Sequence, residues 1–131
     1  MSDPSPDLPM ALARRHWETR PDDVITVELD VDPAWVEPLV VGAGFVVDAT
    51  DGTVVRIRRQ RSLPDTVGAG MRLLVSGLNP SGYSADAGVG YARPGNRFWP
   101  AALLAGVATV PRDPVHALQH HGLGITDLVK R

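Results

Sequence analysis

Hydrophobic and polar positions along this chain alternate, run together and break off in patterns that mark its elements. From Val24 to Val31, Ile25, Val27, Leu29 and Val31 oppose Val24, Thr26, Glu28 and Asp30, the period of a half-buried strand. Phe45 to Asp48 and Thr53 to Arg59 flank Asp51-Gly52, a strong hairpin signal. Met71 to Val75 is nearly continuous in apolar residues, as in a parallel strand covered on both faces. Met10 to Trp17 predicts a short helix stopped by Pro21. Asp32-Pro33 reads as an N-cap and first-turn pair, with Pro38 limiting that helix to about one turn. Arg97 to Ala105 predicts a helix capped near Gly95 or Asn96, with Pro100 in or near its first turn. Asp113, Pro114 and Gly122 delimit another helix, and Leu123 to Val129 begins a further segment. Met1 to Pro9, with three Pro, is expected to be disordered. Leu63 to Gly70 reads as a linker and Gly77 to Gly95 as a loop.

This order predicts an α/β fold with a parallel sheet over residues 66–131, preceded over residues 1–65 by a small β-hairpin-rich extension. In open α/β sheets, sites lie at the carboxyl ends of strands. The loop that opens at Gly77-Leu78-Asn79-Pro80 is therefore the first place to look for chemistry.

Composition narrows the possibilities. The 131 residues suffice for one modest domain, and 44% apolar content allows a packed core. Thirteen Gly and twelve Pro predict many connections and short helices. The absence of Cys excludes disulfides, thiolate catalysis and Cys-based zinc sites. No apolar run reaches the length of a membrane span, and the acidic, Pro-rich start is unlike a signal peptide. The formal net charge of −2 divides unevenly. Residues 1–65 hold seven Arg against twelve Asp and Glu, or −5; residues 66–131 hold five Arg and one Lys against three Asp, or +3. The second half is thus the better partner for a polyanion. Arg56, Arg58, Arg59 and Arg61 would form either a basic ribbon for nucleic acid or an edge strand guarded by charge, the commoner use.

The glycines between Gly77 and Gly95 fit neither phosphate-binding signature, and favour close backbone approach to a flat ligand. His116, His120 and His121 have helical spacing for two metal ligands but no accompanying carboxylate, so a helix-terminal surface role is expected. Asp86, Asp113 and Asp127 form no pair at acid–base spacing. Asn79, held extended by Pro80, could position a water with its carboxamide, or could hydrogen-bond its own backbone as a turn residue. Taken alone it fits the turn better.

Gly77-Leu78-Asn79-Pro80, followed at matching distance by Pro94-Gly95-Asn96-Arg97-Phe98-Trp99, resembles the mismatch-specific uracil and thymine DNA glycosylases, a branch of the uracil-DNA glycosylase superfamily. Gly122-Leu123-Gly124-Ile125-Thr126-Asp127-Leu128-Val129-Lys130-Arg131 is similar to a third segment of that family. The resemblance covers roughly residues 64–131. It implies part of a three-layer α/β/α fold, and hydrolysis of the N-glycosidic bond of a flipped uracil or thymine mispaired with guanine.

Under this resemblance Asn79 is the catalytic asparagine that positions water. Tyr91 is the aromatic beneath the base, and Leu78 and Tyr91 offer backbone groups to its edge. Ser84 lies near the pyrimidine C5 position, with Gly90 also in the base pocket. Ser81 stands where the family has Gly, and adds a hydroxyl. Pro94, Asn96, Phe98 and Trp99 brace the loop. No cofactor and no metal are implied. The partner is double-stranded DNA with G·U or G·T mismatches, a complete domain would be monomeric, and its place is cytoplasmic, at the nucleoid. The family's second motif, whose loop enters the duplex, is not among the 131 residues. A truncated enzyme is therefore expected, with a catalytically silent DNA-binding module as the alternative.

Overall fold

The computed structural model describes residues 3–130. In chain order it contains α1 (Leu8–Glu18), β1 (Val24–Glu28), a 3-10 turn (Pro33–Trp35), α2 (Val36–Gly42), β2 (Phe45–Asp51), β3 (Val54–Arg59), β4 (Leu73–Gly77), α3 (Gly82–Ala87), α4 (Phe98–Ala105), α5 (Pro114–His121) and β5 (Leu123–Asp127). β1, β3 and β2 form an antiparallel sheet in that order, while β4 and β5 form a parallel pair. The chain is therefore mixed α/β with one parallel sheet, as the pattern predicts.

Asp51-Gly52 makes the expected hairpin, with Gly52 at φ +61° and Asp51 opposite Val54. The register skips Asp48, which bulges out of β2 and places its carboxylate 2.8 Å from Arg58. β3 lies between β1 and β2, which corrects the edge-strand reading of its arginines. Val55, Ile57 and Arg59 face inward in alternation and Arg56 and Arg58 outward. The sequence shows the period of β3 but not that β1 returns to cover its second edge. Arg59 is tolerated inside because its Nε donates to the His16 carbonyl and its Nη1 to that of Gln60.

Three further expectations need correction. Leu8 and Pro9 belong to α1, where Pro occupies the first turn and loses no hydrogen bond; Met1 and Ser2 lie outside the described residues. Pro38 does not end a helix but sits in the first turn of α2, a second helix that follows the Asp32-capped 3-10 turn. Met71 to Val75 is not covered on both faces: β4 starts at Leu73, and Leu73 and Leu74 are 47% and 49% exposed. Apolar composition marks the strand but not which strand of a parallel pair is the edge. The buried partner is β5, whose Leu123 and Ile125 join Trp99, Ala102, Ala108 and Ala117 in one core cluster.

α5 follows its sequence signals. The Asp113 side chain accepts from the His116 N–H at 2.9 Å, Pro114 is the first helical residue, and Gly122 takes the left-handed cap at φ +69°. α1 touches both parts of the chain. Leu12 enters the core cluster of Phe45, Val55 and Ile57, whereas Met10 and Ala13 pack on Leu118 of α5. The segment read as a linker is tied down by Thr66, which exchanges backbone hydrogen bonds with Ile125 of β5 at 2.9 Å each. No helix among the described residues is long and apolar enough to cross a membrane.

Candidate functional site

Parallel pairing aligns Gly77 with Asp127, so β4 and β5 deliver their carboxyl ends to one place. Beyond them the chains continue side by side. The Leu128 N–H donates to the Gly77 carbonyl at 2.9 Å and that of Val129 to the Leu78 carbonyl at 2.8 Å. Leu78 thus has its carbonyl occupied, and its side chain is 76% exposed. Asn79 comes next and is exposed, and among the described residues its carboxamide makes no hydrogen bond. Asn79 does not hydrogen-bond its own backbone as a turn asparagine would.

Pro80 then leads into α3, which occupies part of the stretch expected to be loop. Ser81 is its N-cap, with the hydroxyl accepting from the Ser84 N–H at 3.1 Å. The hydroxyl added at this position therefore serves the helix. Ser84 is 4% exposed and its Oγ accepts the Ala92 N–H at 3.2 Å, which ties α3 to the far side of the following turn. Gly88 closes α3 in the left-handed region at φ +74°.

Tyr91 also has positive φ, +56°, uncommon for a residue with a side chain. Its ring stacks on Phe98 with centroids 4.1 Å apart and planes at 21°. Phe98 in turn meets Trp99 edge-on at 5.1 Å, and the Trp99 indole donates to the Gly90 carbonyl at 2.9 Å. Arg93-Pro94-Gly95-Asn96 forms a tight turn closed by the Asn96 N–H on the Arg93 carbonyl at 3.0 Å, with Gly95 at φ +88° as its third residue. The Asn96 side chain then accepts from the Phe98 N–H at 2.9 Å and starts α4.

These elements enclose a cleft of about 240 Å³. Asn79, Ser81, Ser84, Gly90, Tyr91 and Asn96 line it, together with Pro80, Leu63, Arg93, Ile125 and Asp127. Six of the residues singled out in the sequence thus converge. Leu78, Pro94, Phe98 and Trp99 are not among its lining; Phe98 and Trp99 support it from behind. The volume is just under the roughly 300–1,000 Å³ usual for ligand pockets, the scale of one small ring.

Leu63, Arg93, Ile125 and Asp127 line the cleft without a sequence signal for the site, and Asp127 is the carboxylate among them. Spacing gives it no carboxylate partner; its place follows from register, opposite Gly77 in the parallel pair. Its carboxylate lies against the Gly77 Cα and near the Tyr91 hydroxyl, where a side chain at residue 77 would intrude. Burial raises its pKa above the usual carboxylate value; Lys130 opposes the shift and Asp65 adds to it. Burial, and then Asp127, likewise raise that of Tyr91. On the opposite face of β5, Thr126 donates to Asp65 at 2.6 Å, and Lys130 pairs with Asp65 and reaches the Thr126 hydroxyl at 3.0 Å.

Elsewhere, His116 and His120 stack at 4.2 Å, and His121 meets the Thr109 hydroxyl at 2.8 Å. Among the described residues no group of three or more His, Asp or Glu is arranged to hold a metal ion. A cavity of about 280 Å³ between Val41, Phe45, Ser62 and Leu128 to Lys130 is mostly apolar and gathers no comparable set of polar groups. No protein-family model matches the chain.

Proposed function

We propose that the cleft receives a single pyrimidine, uracil or thymine mispaired with guanine and flipped out of duplex DNA, and hydrolyses its N-glycosidic bond. The observation that carries this reading is the unpartnered Asn79 carboxamide at the carboxyl end of β4, opening onto the same cleft as the Tyr91 ring. Motif order and spacing support it, because Asn79, Tyr91 and the Thr126 segment occupy corresponding places in the mismatch-specific glycosylases. On the same reading, β4 and β5 are strands of a three-layer α/β/α domain.

The reaction suits this inventory. Departure of the base leads through an oxocarbenium-like transition state, so no strong base is required. The water oxygen bonds to C1′ as the C1′–N1 bond breaks. The bonding electrons leave with the pyrimidine, which takes up a proton, and the water gives one up. Asn79 Oδ1 accepts a hydrogen bond from that water and holds it on the sugar side of the base. Tyr91, backed by Phe98, supplies the platform. Base–aromatic stacking contributes about 1–3 kcal/mol, comparable to the few kcal/mol that flipping costs. The test is release of free uracil from a G·U duplex, with Asn79→Ala as the inactive control. Salt-dependent duplex binding without release by the wild-type chain would replace this reading with that of a DNA-binding module.

A further inference from the structure

The turn from Gly88 to Tyr91 carries the Tyr91 ring, and two indoles hold it at alternate carbonyls. Trp99 of α4 donates to Gly90 at 2.9 Å. Trp17, seventy-one residues away in sequence on α1, donates to Gly88 at 3.1 Å. The approach of Trp17 is close: a Cβ on Gly88 would lie 3.2 Å from its Cδ1. Gly88 is therefore doubly constrained, by its left-handed cap geometry and by the indole against it. The turn also has a third tether, the Ala92 N–H on Ser84 Oγ. Tyr91 keeps a φ of +56° inside this frame, a conformation that persists only where its surroundings over-determine it.

Trp17 is itself firmly anchored. It packs beside Met10, Ala13 and Leu118, and the preceding residue, His16, is fully buried against Phe45. Arg59 Nε holds the His16 carbonyl at 3.3 Å. The hairpin sheet is thereby connected, through one helix, to the turn that shapes the cleft. We propose that Trp17 is a positioning residue of the cleft: by holding the Gly88 carbonyl, the N-terminal helix sets the conformation of the turn that presents Tyr91. The part of this inference that concerns DNA rests on the glycosylase reading; the part that concerns the turn does not.

Trp17→Phe keeps an aromatic ring on α1 and removes the indole N–H together with the five-membered ring that lies against Gly88. Amide hydrogen exchange of the full chain tests the turn directly, at Gly88, Val89 and Ala92 against Val55 and Ile57 of β3. Loss of one hydrogen bond at the turn is expected to speed exchange at the first group about fivefold and leave β3 unchanged. Binding is read with a G·U duplex carrying 2′-fluoro-2′-deoxyuridine, whose fluorine disfavours the oxocarbenium ion and blocks cleavage. Trp17→Phe is expected to lose about fivefold in affinity for that duplex relative to a fully paired one. Unchanged exchange at Ala92, or equal acceleration across the chain, overturns the proposal. Local acceleration with no preference of the wild-type chain for the fluorinated duplex supports the role of Trp17 in the turn and overturns the glycosylase reading instead.

Discussion

His16 gives the fold a defined acid sensitivity. Its ring is fully buried, edge-on to Phe45 at 5.7 Å. Nε2 lies 3.3 Å from the Gln60 carbonyl, which can only accept, so Nε2 carries the proton and Nδ1 is bare. Nδ1 is buried without a partner. Protonation would place a charge there with no acceptor and with the Arg59 guanidinium nearby. Burial, and then Arg59, lower the pKa from 6.5 to about 4, against a smaller opposing effect of the Gln60 carbonyl. A depressed folded-state pKa means that the unfolded chain binds the proton more readily. Stability is therefore intact above about 6.5, falls as pH drops from there to about 4, and is level below. At about 1.4 kcal/mol per pKa unit the full loss is about 3 kcal/mol, of which about 2 kcal/mol is reached by pH 5. Urea unfolding followed by Trp fluorescence at pH 7, 6 and 5 measures it, with His16→Gln as the non-titrating reference. The reference matters because carboxylates also titrate near pH 4. Wild type should lose about 2 kcal/mol more than His16→Gln between pH 7 and pH 5, about 1 M in urea midpoint. Parallel losses in the two proteins, or a His16 pKa above 6 by NMR, would refute the reasoning.

Other consequences are equally direct. On the glycosylase reading proposed above, Asn79→Ala should reduce uracil release by at least about a hundredfold. Because the side chain is exposed and unpartnered, the unfolding midpoint should stay within about 0.5 kcal/mol of wild type. Gly122→Ala should destabilise by about 2 kcal/mol or more in denaturant titration, since the residue is left-handed at φ +69° and a Cβ would lie 2.8 Å from the Gly70 carbonyl oxygen. Asp127→Asn should raise the melting temperature at pH 7. A carboxyl whose folded pKa is raised costs stability once ionised, so the gain should shrink towards pH 4, and a gain that grows on acidification would contradict the raised pKa.

How much of this was legible in the sequence depended on whether the signal was local. Caps and turns are local, and α5 between Asp113 and Gly122 and the Asp51-Gly52 hairpin appear where the residues place them. Pro38 misled because a proline is ambiguous on its own: inside a helix it breaks, in a first turn it starts. The edge or central status of a strand is set by distant partners. β3 reads as an edge until β1 pairs with it, and β4 reads as buried until Leu73 and Leu74 prove exposed.

The candidate site divides along the same line. Asn79, Ser81, Ser84, Gly90, Tyr91 and Asn96 lie within eighteen positions of one another, so a strand end followed by a short helix and turn keeps them close in space and legible as one stretch. Asp127 and Trp17 arrive through tertiary structure alone, one by parallel register with Gly77, the other by the seat of α1 between the hairpin core and α5. The roles differ accordingly. The local stretch carries the groups that could face a substrate. The distant residues set conditions on them: Asp127 brings a carboxylate beside Tyr91, and Trp17 holds the turn on which Tyr91 stands. A substitution at Trp17 should therefore leave every cleft-lining residue in place by identity and still change what the cleft accepts, a separation of chemistry from geometry that the primary structure does not display.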